Sequence, residues 1–411
     1  MKQRILVAAA SLVLAALILL LLPTAPPETT PTTVPTVPTT NSTTLPTMPT
    51  TTVPPPPVVG VVRFYSCDPA ILAVLTDLAA SYTAQTGLEV VILSQEENGC
   101  QATLQRLMES EDPPTAFCVH SRNQLLAWEP ILLDLKDSSL APLLRSEDMA
   151  IRANGKWLAL PMGLKGYGLL MNAELLAGVA LTRSDITEFS SLSTAAQILK
   201  NNSLKAFSLF SPTEQAAWQL LAVQEPERAR EFLDLYLANH STKNDGLTQF
   251  LSGKSAFMLG DSSAYDLLAS YTDQTFHVRN LDILPTYIGG AMQYFCDWAW
   301  CINGSVRQED IGATIAFLEW MVTPTETGAA PIDLLQLLTP FAGSSWYGNQ
   351  LEKKLLGYMS EEPAITDFND GLPENESLLT ALNAYLQAPT DENWDQLRLC
   401  MDQLRAQPIP E

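Results

Sequence analysis

Short apolar runs alternate with amphipathic stretches along the first part of the chain that follows residue 57. Three runs have the length and composition of buried strands: 58–66, 88–93 and 115–120. After the first run, Asp68 and Pro69 suit the start of a helix and Gly87 suits its end. Further helical stretches follow the second and third runs. This β-α-β-α-β order predicts an α/β fold with a parallel sheet and right-handed crossovers.

The carboxyl ends of these predicted strands are where a ligand site is expected, because open α/β sheets bind ligands just outside that edge. Polar residues lie at or just beyond the end of each run: Ser66 ends the first, Glu97 follows the second, and His120 ends the third, with Asn123 close behind it. These four residues are candidate ligand contacts. For His120 the alternative is a structural histidine that is hydrogen-bonded at the strand end.

The later part of the chain continues to mix strands and helices. Segment 154–176 reads as a turn, two strands separated by a proline, and a helix, whereas 245–271 contains a helix, a strand and a new helix after Gly260. Residues 308–322 have the pattern of an amphipathic helix, and the chain after Pro324 is predicted to be mainly helical. This body of about 350 residues is too long for one core, which predicts two domains.

The segment YFCDWAWCING, residues 294–304, is strand-like and unusually aromatic for a chain with 8% Phe, Trp and Tyr. Alternate residues of a strand share a face, so one face carries Tyr294, Cys296, Trp298 and Trp300. The other face carries Phe295, Asp297, Ala299 and Cys301. Because the two cysteines lie on opposite faces, a disulfide between them is disfavoured.

The N-terminus predicts export. Lys2 and Arg4 precede an apolar run from Ile5 to Leu22, which is just long enough to cross a membrane. We favour an uncleaved anchor at 1–23 that holds the protein on the extracellular face, with a cleaved signal and a secreted protein as the alternative. Residues 24–57 contain 14 Thr and 11 Pro and form a predicted stalk, or else a linker with no length requirement.

Composition narrows the possible chemistry. A net charge of −22 argues against a nucleic-acid partner. With three histidines and no CxxC pair among six cysteines, neither a metal site nor a cofactor is predicted. Three disulfides and buried free thiols are equally compatible with the cysteines. The chain contains no GxSxG, HExxH, Walker or GxGxxG motif, so we predict that it is not an enzyme.

Four segments in order resemble the extracellular solute-binding proteins of ABC transporters, in particular the sugar-binding group that includes maltose-binding protein. They are ASYTAQTGLEVVIL, GKWLALPMGLKGYGLLMNAELL, FLSGKSAFMLGDSSA, and LDILPTYIGG continuing to IAFLEWMV. Each is weakly specific alone, but their order and spacing cover most of residues 60–325. The resemblance implies a two-lobed fold like that of periplasmic binding proteins, with hinge strands between the lobes and closure over a ligand.

The resemblance also implies where the lobes divide. The chain would cross between lobes near Gly163–Gly168 and again near Tyr294–Trp300. Lobe 1 would then comprise 58–163 with about 301–340, and lobe 2 would comprise 168–294 with about 341–411. The aromatic segment would pass along the floor of the cleft between them.

Sugar recognition requires aromatic faces and hydrogen-bonding groups for the hydroxyls. The aromatic candidates are Trp298, Trp300 and Tyr167, each of which has a core role as its alternative. The polar candidates are Asp297, Asp261, His120, Asn123, Glu97, Ser66 and Lys165. Asp261 has a helix cap as its alternative, and Lys165 a solvated charge.

The function that these features predict is capture of a small solute for an ABC permease in the membrane, with a carbohydrate as the favoured ligand. One alternative is a cell-surface sensor or adhesion domain, which the stalk favours. The other alternative is an extracellular enzyme that acts on glycans, since 45 acidic residues allow an accidental carboxylate pair.

Overall fold

The computed structural model describes residues 59–94, 99–208, 226–240, 246–271, 277–285, 290–362, 364–368 and 376–406. The predicted anchor 1–23, the stalk 24–57 and the candidate residue Glu97 lie outside the described residues. Among the residues that are described, no helix is both long enough and apolar enough to cross a membrane. The interpretation of the N-terminal segments therefore stays a prediction.

The described part of the chain contains ten strands. They are β1 (Val61–Tyr65), β2 (Glu89–Leu93), β3 (Ala116–Val119), β4 (Ile151–Ala153), β5 (Lys156–Asn172), β6 (Lys205–Phe207), β7 (Ser255–Asp261), β8 (Leu281–Pro285), β9 (Met292–Ile302) and β10 (Ala364–Phe368). The three apolar runs at the start of the body correspond to β1, β2 and β3, and the aromatic segment forms most of β9.

The same described residues contain twelve α-helices. They are α1 (Pro69–Thr86), α2 (Cys100–Met108), α3 (Arg122–Trp128), α4 (Ala173–Ala177), α5 (Phe189–Asn201), α6 (Pro226–Asn239), α7 (Gly246–Leu251), α8 (Ala264–Ala269), α9 (Gln308–Val322), α10 (Gln350–Glu361), α11 (Glu376–Gln387) and α12 (Asp391–Ala406). Helix α1 has the predicted ends, because the Asp68 side chain accepts a hydrogen bond from Ala70 N and Gly87 adopts a left-handed φ of 75°.

The strands form one mixed sheet whose main path runs β2-β1-β3-β9-β5-β7-β6. β1 pairs in parallel with β2 and with β3, which confirms the predicted β-α-β-α-β unit and the α/β fold class. β9 runs antiparallel to both β3 and β5. β10 pairs in parallel with β9, whereas β4 and β8 pair with β5.

The described residues after Pro324 are mainly helical, as predicted, but they also include strand β10, which the sequence did not predict. It has only five residues, AITDF, between two helices, and it joins the sheet through β9 from a position about 70 residues further along the chain. A strand this short has little periodicity of its own. Its conformation depends on the partner strand, which a local sequence pattern does not reveal.

Strand β5 connects the two ends of the sheet. It spans 17 residues, pairing with β9 between Leu160 and Tyr167 and with β7 and β8 from there to Asn172. The exchange of neighbours takes place within the segment Gly163–Gly168, where the sequence predicted the first crossing. One continuous strand therefore serves both halves of the sheet.

Separate apolar clusters cover the two halves of the sheet. One packs α1 and α9 against β1 and β9, and it contains Phe64, Phe317 and Trp300. Another packs α5, α6, α11 and α12 against β6 and β7, around Phe207 and Phe257. The described residues from 59 onward belong to one compact unit. The lobe boundaries given above therefore remain a prediction.

One disulfide, Cys67–Cys100, is present, joining the end of β1 to the start of α2. Four cysteines are free thiols: Cys118, Cys296, Cys301 and Cys400. The structure thus resolves the open alternative in favour of one disulfide with several buried thiols. Burial raises the pKa of the Cys118 thiol to about 12, so this thiol is chemically inert at neutral pH.

Candidate ligand-binding site

Two strands approach the same edge of β9 from opposite directions. β3 ends with Val119 opposite Ala299, and β10 ends with Phe368 opposite Cys296. Both carboxyl ends therefore meet at Asp297, which lies between them. This convergence is the topological position at which α/β sheets bind ligands, and it makes Asp297 the centre of the candidate site.

The other edge of β9 supplies a cation to the same point. Lys165 on β5 places its Nζ 2.7 Å from Asp297 Oδ2, with the two side chains 36% and 47% exposed. Beside this ion pair, Gly163 adopts a φ of +63°, a left-handed conformation that favours glycine. Because both side chains are accessible to solvent, a ligand in solution can reach this ion pair.

His120 closes the site on the side of β3. Its Nε2 lies 3.3 Å from Cys67 Sγ, and its ring is hydrogen-bonded to the backbone of Asp297. Burial lowers the pKa of His120, and this outweighs the opposing effect of the Asp68 and Asp297 carboxylates. His120 is therefore neutral at pH 7, and because its N–H is engaged by the Asp297 backbone, it can accept one further hydrogen bond.

The lowered pKa of His120 predicts a loss of stability in mild acid. The folded state binds this proton less readily than the unfolded chain, so the stability contribution is present above the unfolded pKa of about 6.5 and declines as the pH falls below it. Between pH 7 and pH 5 we expect wild type to lose more stability than His120→Gln does. Urea unfolding at both pH values measures this difference; equal losses in the two proteins would contradict it.

A second ion pair beside Asp297 was not predicted. Arg122, the first residue of α3, donates from Nε and Nη2 to the two carboxylate oxygens of Asp367 on β10, at 3.2 and 2.6 Å. The Asp367 and Asp297 carboxylates both raise the pKa of the buried Cys296 thiol, although burial itself contributes most. The sequence pattern did mark the end of β3, where Arg122 lies, but offered no signal for Asp367.

The two tryptophans do not share the face of the sheet that carries these charges. Trp298 and Trp300 alternate with Asp297 along β9 and are 5% and 0% exposed, within the cluster that contains Phe64. In this structure neither ring has an exposed face that could stack on a ligand, so their expected role in ligand binding stays a prediction. Strand alternation had separated the two faces without indicating which one is covered.

Tyr167 is on the charged face but is also covered. Its ring packs edge-to-face against Phe295 with centroids 4.7 Å apart, and it is 4% exposed. None of the three predicted aromatic residues therefore presents an open ring face in this structure.

The remaining candidates occupy different positions. Asp261 ends β7, opposite Tyr167 on β5, and its Oδ1 accepts a 2.7 Å hydrogen bond from Ser263 N, as expected of a turn or helix cap. Asn123 is exposed on α3. Ser66 is fully buried after β1, beside the Cys118 thiol. The structure thus brings together Asp297, Lys165 and His120.

The described residues contain no group of three or more His, Cys, Asp and Glu side chains positioned to hold a metal ion. What the site offers instead is a set of carboxylate oxygens, an ammonium group, a guanidinium group and a neutral imidazole. Such a set makes directional hydrogen bonds to hydroxyl groups. It suits reversible binding of a polar small molecule.

A sequence model of the bacterial extracellular solute-binding protein family matches residues 77–345, more than half of the chain. The chain belongs to this family. Lys165, Asp297 and Arg122 of the solute-binding protein lie within the matched region, whereas Asp367 lies beyond its end. Comparison with curated proteins gave no match.

Solved structures share the fold of this solute-binding protein at low sequence identity. The bacterial solute receptor AcbH, described as having an exclusive preference for β-D-galactopyranose, aligns with a TM-score of 0.62 at 13% identity, covering 85% of this chain and 98% of the receptor. RafE from Streptococcus pneumoniae aligns with a TM-score of 0.60 at 12% identity, covering 84% and 98%. The cyclic α-maltosyl-1,6-maltose binding protein from Arthrobacter globiformis gives 0.54 at 14%, covering 84% and 98%. These similarities establish a periplasmic-binding-protein-like fold.

A surface cavity of the solute-binding protein lies away from Asp297. Its volume is about 430 Å³, and its lining includes Asn172, Glu174, Asn202 and Ser252. These residues surround the start of β7, whereas Asp261 and the candidate site lie at its other end. The cavity therefore does not belong to the candidate site.

Proposed function

We propose that this solute-binding protein captures a small carbohydrate outside the cell and delivers it to an ABC importer. The single observation that carries the proposal is the exposed Lys165–Asp297 ion pair, 2.7 Å long, at the point where the ends of β3 and β10 converge. The membership in the solute-binding family supports transport. The carbohydrate preferences named for AcbH and the Arthrobacter globiformis protein support a sugar.

The proposed ligand contacts are the residues around this ion pair. The Asp297 carboxylate accepts hydrogen bonds from one or two sugar hydroxyls, while Lys165 donates to a neighbouring hydroxyl without leaving its partner. His120 supplies a neutral acceptor, and Asn123 and Asp261 line the rim. No step in this role requires bond making or breaking.

Ligand capture is proposed to involve closure of two lobes. The lobes are the ones that the family resemblance implies, 58–163 with about 301–340 and 168–294 with about 341–411. β5 and β9 connect them, and the left-handed Gly163 beside Asp297 is a suitable place for rotation, because glycine has the widest range of backbone conformations.

The proposed location is the extracellular face of the membrane, with residues 1–23 as the anchor and 24–57 as the stalk. A permease in the same membrane is the proposed partner. A surface sensor on a stalk is the second candidate function, which the Thr- and Pro-rich composition of 24–57 favours. Sugar uptake that depends on this protein in cells would support transport; binding without uptake would favour the sensor.

A thermal-shift screen of the full-length protein tests the proposal. The panel is galactose, glucose, maltose, raffinose and chitooligosaccharides, and ligand at 100 times its Kd should stabilise the protein by about 2.7 kcal/mol. Stabilisation by none of these sugars would contradict the carbohydrate assignment.

A pair of variants on one strand locates the site. Lys165→Gln should weaken binding of the sugar found in the screen about 10-fold or more, since hydrogen bonds from charged groups contribute more than neutral ones. Lys156→Gln is the matched control, because Lys156 also lies on β5 and pairs with a carboxylate, Glu129, at 3.4 Å. Calorimetry measures the affinity of each variant for the sugar. Equal effects of the two substitutions would show that Lys165 does not contact the ligand.

A further inference from the structure

Both cations at the candidate site are already paired with carboxylates. Lys165 contacts Asp297, and Arg122 contacts Asp367 through two hydrogen bonds. The Arg122–Asp367 pair leaves less room for a ligand than the Lys165–Asp297 pair, because both oxygens of the Asp367 carboxylate fill the guanidinium fork of Arg122. The Arg122 side chain is also only 14% exposed. Arg122 Nη1 is also 3.5 Å from the carbonyl oxygen of Arg152.

A guanidinium fork is the side chain that most readily binds a planar anion, since its parallel N–H groups match the two oxygens of a carboxylate. Arg122 at the end of β3 would therefore be an anion-binding group if its fork were open. Asp367 occupies that fork from β10, across the gap in which Asp297 lies. An anionic ligand would have to displace Asp367 and leave this carboxylate without its partner.

The charges near Asp297 also oppose the binding of an anionic ligand. An anion at Asp297 would meet the carboxylates of Asp297, Asp367 and Asp68, of which the first and third both act on His120. Like charges at such an interface oppose binding strongly. An uncharged hydroxyl avoids this repulsion, since a carboxylate that accepts from arginine can still accept a hydrogen bond from a hydroxyl donor.

We propose that Asp367 is a specificity-determining residue, which occupies the Arg122 guanidinium and so restricts the site to uncharged, hydroxyl-rich ligands and excludes sugar acids. This inference rests on the proposed function insofar as it places ligand at Asp297. Beyond the proposed function, it names the ligands that the site accepts, the ligands that it rejects, and Asp367 as the residue that causes the rejection.

The test compares neutral and acidic sugars that otherwise match. The probes are galactose with galacturonate, glucose with glucuronate, and mannose with mannuronate, titrated into the full-length protein by calorimetry. Wild type should bind the neutral member of a pair at least about 10-fold more tightly than the acidic member. Asp367→Asn, which leaves the fork of Arg122 without a carboxylate, should bind the acidic member at least about 10-fold more tightly than wild type does.

Asp391→Asn is the matched control, because Asp391 also pairs with an arginine, Arg230, at 2.6 Å, in a distant part of the protein. This control should leave all six affinities unchanged. In the double variant Arg122→Gln/Asp367→Asn the gain in acid binding should disappear. If Asp367→Asn does not unfold cooperatively, Asp367→Thr replaces it, since threonine is favoured in strands.

The outcomes separate this inference from the proposed function. Wild type that binds a sugar acid as tightly as its neutral counterpart would overturn the inference while leaving sugar capture intact. A folded Asp367→Asn variant without any gain in acid binding would overturn it as well. If wild type binds no neutral sugar but Asp367→Asn acquires acid binding that depends on Arg122, the proposed ligand class fails and the role of Asp367 stands.

Discussion

Replacing Asp310 by asparagine is expected to destabilise the protein by about 3–5 kcal/mol, the cost of breaking a buried ion pair at one partner. The Asp310 side chain is 1% exposed and accepts hydrogen bonds from Arg63, Arg307 and the backbone N–H of Val61. Asparagine would turn an N–H group toward these donors and remove the buried counter-charge of Arg63 and Arg307, leaving Arg63 with only the 3.8 Å contact to the exposed Asp112. The interaction joins the start of β1 to the start of α9.

Urea unfolding of the full-length protein at pH 7 measures this effect. Glu309→Gln is the control, because Glu309 is the exposed neighbour and its neutralisation should change stability by about 0.5 kcal/mol or less. A loss in Asp310→Asn no larger than the loss in Glu309→Gln would show that the buried network contributes nothing to stability.

The same carboxylate should make the protein sensitive to strong acid. Burial, the largest single effect, raises the pKa of Asp310, but hydrogen bonds from Arg307 and Val61 and the charges of Arg307 and Arg63 outweigh it, and the pKa is lowered. The stabilisation is therefore present above the unfolded pKa of about 3.9 and is lost as the pH falls through the lower folded value. Asp310→Asn should lack this part of the acid dependence.

Those parts of the fold that depend on local signals could be predicted from the sequence. β1 and β3 are continuous apolar runs because they lie inside the sheet with both faces packed, and helix α1 has its cap at Asp68 and its stop at Gly87. The convergence of strand ends follows from topology, so His120 could be placed at the site once a parallel sheet was predicted. These inferences required only residues close together in the chain.

The parts that could not be predicted depend on distant partners. Arg122 and Asp367 are 245 residues apart, and the strand that carries Asp367 forms only by pairing with β9. Trp298 illustrates a different limit. Alternation assigned it to the face opposite Asp297, but which face α1 and α9 cover is decided by packing, and Trp298 and Trp300 lie on the covered face.

Replacing Gly168 by alanine is expected to destabilise the protein by about 3 kcal/mol or more, because the new methyl group would collide with backbone. A Cβ at this position would lie 2.0 Å from the carbonyl oxygen of Leu284, on strand β8. A backbone oxygen cannot rotate away as a side chain can, so β8 would have to separate from β5. Gly168 pairs with Gly260 and Pro285 at the exchange of neighbours along β5, and the strain would reach the crossing itself.

Gly312→Ala is the matched control for this substitution. Gly312 lies in helix α9, where a new methyl group would meet no atom of the described residues within 4 Å beyond its own helix backbone, and alanine there should stabilise the protein by about 0.5–1 kcal/mol. Urea unfolding compares the two variants, and calorimetry with the sugar found in the screen reports on the site. Equal stability of Gly168→Ala and wild type would show that β8 can move away from β5 without a loss of stability. The close approach of β5 and β8 would then not fix the geometry between Lys165 and the end of β7.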